Sequence, residues 1–322
     1  PFLLCQYHTD RFVAVTGAEG AAATLRGVTA VLRRSFDVED IHVYVDTSIG
    51  TAEFPLHGSE PEELIQKASI SMHAAMKKGQ AWSIYDRGAD AANRETLTLL
   101  GRIPDAVAAG EFQIWCQPKL RLSDRRHTGV EMLMRWHPPG RDGIPPATFI
   151  PHAERTSLIH LLTRWVLETS FNHMQVWLAE LPELQVSINL TARDLGDPEL
   201  PQFIDELAAR HTLNPRQIEF EITETGIFGD QDSTARLLQT LKHRGFRLAV
   251  DDFGTGQSSL QYLKALPVDH LKIDQAFVRN LLADRRDQSI VKTVIAMAQG
   301  LGLEVTAEGV EDPAAIEYLA AH

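Results

Sequence analysis

The chain has 322 residues, enough for two domains or for one large barrel with part of another, and its 44% hydrophobic and 23% charged content is that of a globular protein. A formal net charge of -12 argues against a general binder of nucleic-acid polymers, whose phosphates are held by Lys and Arg, but leaves open a small nucleotide bound through cations. No apolar run approaches the ~18–20 residues of a membrane span, and Cys5 and Cys116 lack the spacing of a zinc site or disulfide framework, so they read as two reduced thiols of a cytoplasmic protein. The start at Pro1 reads as an excised piece, any membrane anchor or sensor lying upstream.

Phe12–Val15 predicts a short strand, Ala22–Arg33 a helix, Val43–Gly50 and Trp82–Tyr85 strands, and Pro61–Met76 an amphipathic helix. These elements are too few to close a core, so residues 1–90 read as a partial α/β domain. Residues 91–110, rich in Ala, Leu, Arg and Glu, predict a connecting helix in which Pro104 ends or restarts a turn. From residue 111 strands and helices alternate. Strands are predicted at Phe112–Gln117, Val130–Trp136, Gln185–Leu190, Gln217–Ile222, Arg247–Phe253, His270–Asp274 and Glu304–Ala307. Helices are predicted at Leu158–Ala179, Pro201–Arg210, Asp232–Arg244 and Asp287–Gly300. Repeated βα units imply a parallel sheet, and this many imply a (β/α) TIM-like barrel over residues 111–322. An eighth strand would fall beyond His322.

In such barrels the chemistry sits at the C-terminal ends of the strands. Polar residues there are Glu131, Asn189, Glu221, Glu224, Asp251, Asp252, Lys272, Glu308 and Glu311. Singly, each has a plain explanation: a satisfied rim acid for Glu131, a loop or helix cap for Asp251 and Asp252, a turn for Gly254–Gly256, a solvated lysine for Lys272. Together they are a set of carboxylates that would repel one another at one barrel mouth unless neutralised. Hard divalent cations such as Mg²⁺ or Mn²⁺ are the natural counter-charge, and two of them form a clamp for in-line attack on a phosphate ester. Lys272 would add a fixed positive charge near the attacking water or the phosphate.

At these residues the sequence resembles the EAL-domain family of cyclic di-GMP phosphodiesterases. The segments that carry the likeness are CQPKL, GVEMLMRW, ATFIPHAE, SINLTARDL, FEITET, DDFGTGQSSLQYLKALPVDHLKID and AEGVE. The resemblance implies that Glu131, Asn189, Glu221 and Asp251 bind one metal, and that Asp251 and Asp252 hold the second. It gives Lys272 a place beside the nucleophilic water and Glu308 a place as base or water-positioning acid. It makes Glu224 the anchor of the Gly254–Ser259 loop, which couples substrate binding to homodimerisation through the barrel. It implies substrate contacts from Gln117, Leu133, Arg135 and Glu311, and a reaction that opens cyclic di-GMP to linear pGpG. The pattern is broken in three places: Met132 stands in the signature triplet, where it would tune the floor of the site; Gln257 replaces an aromatic in the loop; and the family's last strand is not among these residues.

Residues 1–90 resemble the second half of a GGDEF (diguanylate cyclase) domain through SIGTAEFPLHG, EELIQKASISMHAAMKKGQ and WSIYD. Its signature here is His8-Thr9-Asp10-Arg11-Phe12, with two glycines replaced, Arg11 in the place of a metal-site acid and Phe2 in the place of an inhibitory-site Asp. The expectation is a regulatory or packing scaffold without cyclase activity. Trp115, Trp136, Trp165 and Trp177 read as core or groove residues. The 13 histidines show no metal-binding spacing, and His8, His73 and His152 read as surface or satisfied groups. Beside the phosphodiesterase stand two other readings: a cyclic di-GMP receptor that binds without cutting, and a protein-contact scaffold.

Overall fold

Apolar residues recur at every second position along the predicted barrel strands, and in the computed structural model, which describes residues 2–8, 11–17, 21–32, 34–38, 41–227, 231–255 and 260–322, this alternation sorts one sheet into an apolar face and a polar face. The chain forms two compact units, Pro1–Thr98 and Leu99–His322. Among the described residues no helix is long and apolar enough to cross a membrane.

In the first unit, β1 (Phe2–His8) pairs antiparallel with β2 (Arg11–Thr16), and β3 (Ser35–Val38) with β4 (Ile41–Tyr44). The strands β5 (Ile49–Thr51) and β6 (Trp82–Ile84) are parallel and flank the helix Pro61–Lys77. That helix starts with Pro61, carries Glu62 and Glu63 in its first turn and Lys77 in its last, which complements its dipole at both ends. It packs directly on the β5 backbone: a Cβ on Gly50 would overlap the Ala68 carbonyl oxygen and the Met72 amide nitrogen. The expected single strand Val43–Gly50 is two strands, because residues 45–48 leave the ladder. Two further strands, β1 and β3, were not expected. Thr9 and Asp10 of the signature lie outside the described residues, as does the side chain of His8.

The helix Arg87–Gly101 ends before a short helix Ile103–Ala108, and Pro104 in the first turn of the latter accounts for the restart within the single helix expected over 91–110. The second unit holds β7 (Phe112–Leu120), β8 (His127–Trp136), β9 (Gln185–Leu190), β10 (Ile218–Thr223), β11 (Arg247–Phe253), β12 (His270–Ile273) and β13 (Glu304–Ala307), hydrogen-bonded in that order. From β8 to β13 all neighbours are parallel. The first pair departs from the all-parallel expectation: β7 runs antiparallel to β8. Only residues 121–126 join them, and a parallel crossover needs a dozen residues or more. The turn closes with Arg121 N–H donating to the Arg126 carbonyl at 2.9 Å, and Arg125 adopts φ 58° within it.

The helices Leu158–Glu180, Leu200–Arg210, Gln231–His243 and Arg285–Leu301 lie within two residues of their predicted ends. The strand positions buried with them are Val186, Ile188 and Leu190, Ile218, Phe220 and Ile222, Leu248 and Val250, and Leu271 and Ile273. Each such side chain contributes about 1.5–3 kcal/mol by leaving water. The opposite face is polar, unlike the branched aliphatic interior usual in such barrels. It carries Lys119, Glu131, Ser187, Asn189, Glu219, Glu221, Asp251, His270 and Lys272.

Candidate active site

Lys272 on β12 is 1% exposed and stands at the centre of a ring of carboxylates. Its Nζ lies 3.2 Å from Glu131 Oε2, 3.0 Å from Asp251 Oδ1 and 2.6 Å from Glu308 Oε1, and it also contacts Glu221 Oε2. Asn189 joins the ring by donating Nδ2–H to Glu131 Oε1 at 2.8 Å. Four strands, β8 to β11, therefore bring the predicted first-metal set, Glu131, Asn189, Glu221 and Asp251, around Lys272 on β12, with Glu308 joining from the segment after β13. Burial opposes the charge on Lys272, but Glu221, Asp251, Glu131 and Glu308 together hold its pKa above the usual lysine range. Burial likewise opposes the charge on Glu221, yet Lys272 and Lys119 keep its pKa below the ordinary value. Glu131 moves the other way, raised by burial and by the charge of Glu221.

Asp251 and Asp252 are consecutive, and a regular strand would send them to opposite faces. A register shift between Val250 and Phe253 and a φ of 53° at Asp252 break the alternation, a bulge of the kind that re-aims side chains at strand ends. Asp251, Asp252 and Glu308 each offer a carboxylate oxygen within 4.8 Å of the others. Burial and the neighbouring charges of Asp251 and Asp274 push Asp252 up to about 7. Burial, against the pull of Lys272, and the charges of Asp251 and Glu131 push Glu308 up to about 7. Crowded carboxylates whose ionisation is resisted, with an all-oxygen donor set, fit a hard divalent cation.

Glu224 opens the short helix Glu224–Ile227 directly after β10 and is 1% exposed. Its Oε2 accepts the Gly254 N–H at 2.8 Å. Gly254 has φ 101°, and a Cβ there would come within 2.9 Å of the Phe277 ring, so conformation and space both require glycine. Glu224 thus holds the start of the loop expected to depend on it. Residues 256–259, Gln257 among them, lie outside the described residues.

Three of the four expected substrate-facing residues lie on β7 and β8. Gln117 is exposed and registers opposite Glu131, and Leu133 opposite Trp115. Arg135 donates to the Met134 carbonyl at 2.9 Å and sits 5.5 Å from the Trp115 ring. Glu311 is exposed after β13. Trp115, read as a core or groove residue, is 53% exposed and stacks on His137 at 5.9 Å, which leaves the groove. One expectation changes: Met132 does not line the floor of the site. It is 2% exposed on the opposite face of β8, 3.7 Å from Cys116 Sγ, where strand alternation puts the middle residue of a Glu-x-Leu triplet.

A second polar layer beneath the ring escaped sequence reasoning. Lys119 Nζ donates to Ser187 Oγ at 2.6 Å, Glu219 Oε1 at 3.1 Å and Glu221 Oε1 at 2.6 Å. Glu219 also accepts from Ser187 Oγ at 2.8 Å and from His270 Nδ1 at 3.0 Å, and His270 Nε2 is 2.8 Å from Thr306 Oγ1. Burial opposes the charge on Glu219, but His270, Lys119 and Ser187 hold its pKa far below the carboxylate range. The available signal was spacing: Lys119 lies two residues from Gln117, and Glu219 two from Glu221, on the faces already assigned to the site.

Comparison with known proteins bears on this arrangement. Over 315 residues the chain is 32% identical to the bifunctional diguanylate cyclase/cyclic di-GMP phosphodiesterase MucR of Pseudomonas aeruginosa, a match covering 96% of this chain and 46% of MucR. It is 32% identical over 306 residues to the cyclic di-GMP phosphodiesterase PdeR of Escherichia coli, covering 94% of this chain and 46% of PdeR. The chain therefore spans about half the length of these curated relatives. A solved complex of the PaMucR phosphodiesterase with c-di-GMP is similar in fold, with a TM-score of 0.67 and 35% identity, and the likeness covers 70% of this chain and 91% of that one. The model of one family, the EAL domain, matches residues 101–322, all seven strands β7 to β13 with the carboxylate ring, and the chain belongs to that family.

Proposed function

We propose that residues 111–322 hydrolyse cyclic di-GMP to linear pGpG, using two divalent cations, Mg²⁺ or Mn²⁺, held at the mouth of the barrel. The observation that carries this reading is the convergence of Glu131, Asn189, Glu221, Asp251, Asp252 and Glu308 around Lys272. The names of MucR and PdeR support the same activity. Glu131, Asn189, Glu221 and Asp251 would hold one cation, and Asp251 and Asp252, with Glu308 beside them, the other. When bound, such cations would supply positive charge to a phosphoryl group undergoing in-line displacement.

The chain's own groups do the rest. Gln117, Leu133, Arg135 and Glu311 orient the nucleotide. Glu308, ionising near neutrality, accepts a proton from the attacking water. Lys272 stays charged and holds the carboxylates around the reacting phosphate. One O–H bond of water breaks as its oxygen bonds to phosphorus, the phosphorus–O3′ bond breaks, and the ribose 3′-oxygen takes up a proton, leaving the 5′-phosphate of pGpG. Glu224 positions the Gly254 loop, through which substrate binding is coupled to a homodimer of barrels.

Residues 1–90 are read as a partial, degenerate GGDEF-like domain without cyclase activity, joined through residues 91–110. The MucR match supports the GGDEF-like part of this reading, since it covers most of residues 1–98 in a protein named as a cyclase as well as a phosphodiesterase, while the absence of cyclase activity is read from Arg11 and the replaced signature glycines. The protein is placed in the cytoplasm, or in the cytoplasmic portion of a membrane-anchored sensor, where the bacterial messenger is found.

The test is incubation with cyclic di-GMP and Mg²⁺ or Mn²⁺, products being followed by chromatography. Metal-dependent pGpG that is lost in chelator and in Glu131→Ala is the expected result. Tight binding of intact cyclic di-GMP without product would make the barrel a receptor, and no binding at all would make it a scaffold.

A further inference from the structure

Glu221 is held by two ammonium groups, one on each oxygen of its carboxylate. Lys272 contacts Oε2, and Lys119 donates to Oε1 at 2.6 Å. The two lysines are not equivalent. Lys119 has three N–H donors and three acceptors in reach: Ser187 Oγ, Glu219 Oε1 and Glu221 Oε1. It is matched one to one and fixed. Lys272 has the same three donors but four carboxylates around it, Glu131, Glu221, Asp251 and Glu308. It is over-subscribed, with one carboxylate more than it has N–H donors.

Lys119 belongs to β7, with β8 and β9 lying between it and β10, so it reaches Glu221 across the barrel interior and not along a ladder. Its other partner, Glu219, is itself fixed by Ser187 and by His270, which is in turn fixed by Thr306. We propose that Lys119 is a positioning residue for the phosphodiester reaction: anchored in this buried layer, it holds Glu221 Oε1 from beneath so that Oε2 is the oxygen turned toward the mouth. The inference rests on the reading of Glu221 as a metal ligand. Groups that orient a ligand in this way typically change metal affinity or activity by about 10–100-fold when removed.

The experiment compares the parent chain with Lys119→Met and with Lys119→Met/Glu219→Gln, which removes the cation and one anion together and so keeps the interior balanced. Three quantities are read on each: the melting temperature, Mn²⁺ affinity by calorimetry without nucleotide, and kcat and KM for cyclic di-GMP. The double variant is expected to melt near the parent, to bind Mn²⁺ about 10–100-fold more weakly, and to lose kcat by a similar factor with KM within about twofold. A folded double variant with parental Mn²⁺ affinity overturns the proposal. A parent that binds Mn²⁺ but makes no pGpG overturns the phosphodiesterase reading alone, because the calorimetry still reports on Lys119.

Discussion

The carboxylates of Asp251 and Asp252 reach the same side of the sheet although the residues are neighbours in one strand. The bulge between Val250 and Phe253, with Asp252 at φ 53°, makes this possible. Asn tolerates a left-handed backbone, whereas a β-branched residue does not. Asp252→Asn is therefore expected to unfold like the parent in a denaturant titration while binding one cation fewer. Asp252→Ile is expected to lose the same cation and also about 1–3 kcal/mol of stability. Equal stability of the two variants would show that the bulge carries no strain.

The bond from Gly254 N–H to Glu224 links the loop after β11 to the helix after β10. A hydrogen bond to a charged acceptor contributes about 1.5–3 kcal/mol. Glu224→Ala should lower kcat by roughly tenfold or more with a smaller change in KM, and Glu224→Gln, which keeps an acceptor oxygen, should recover most of the rate. Steady-state kinetics on the two variants decide it: identical losses would mean that charge, and not the loop anchor, is what matters.

Asp252 and Glu308 both titrate at about 7 without a cation. Each must lose its proton to bind a metal, so binding releases protons and the apparent affinity rises with pH. Below pH 7 the affinity for Mn²⁺ should fall by up to about tenfold per pH unit for each proton displaced. Calorimetry at pH 6, 7 and 8, in buffers of different ionisation enthalpy, reads the proton release directly. An affinity flat across this range, with no buffer dependence, would remove these two groups from the metal site.

Gly50 lies where the helix Pro61–Lys77 touches the β5 backbone. Gly50→Ala sets its methyl against main-chain atoms of Ala68 and Met72, which cannot move without shifting the helix. The expected cost is about 1–3 kcal/mol, confined to Pro1–Thr98. Limited proteolysis should show faster cutting within residues 1–98, with no change in the cleavage rate of the barrel.

Most of the barrel was legible because two signals agreed: a period of two along each strand, and polar residues gathered at the strand ends. That was enough to set Glu131, Asn189, Glu221 and Lys272 on one mouth. The sense of β7 was not legible from periodicity, since an antiparallel strand alternates like a parallel one; the short span 121–126 was the available clue. The bulge at Asp251–Asp252 left no mark, because an Asp-Asp pair reads alike in a regular strand, a turn or a cap. For Trp115 the residue type left core and groove open, and its exposure and its register opposite Leu133 decide for the groove. Lys119 was passed over because a single lysine in a strand has no partner in the sequence; its partners lie 68 to 102 residues away.

The antiparallel β7 sets a gauge for the whole mouth. Because this strand descends while its neighbours climb, one short stretch delivers Trp115 and Gln117 to the rim and Lys119 to the depth below. A slip of two residues in the hairpin would keep every side chain on its proper face and leave the apolar packing almost unchanged, yet it would carry the ammonium of Lys119 to the wrong height. Such a molecule would keep its apolar face buried and be inert. The six-residue turn from Arg121 to Arg126 is thus the ruler against which the chemistry is measured, and selection on activity acts there on a segment that touches no reacting atom.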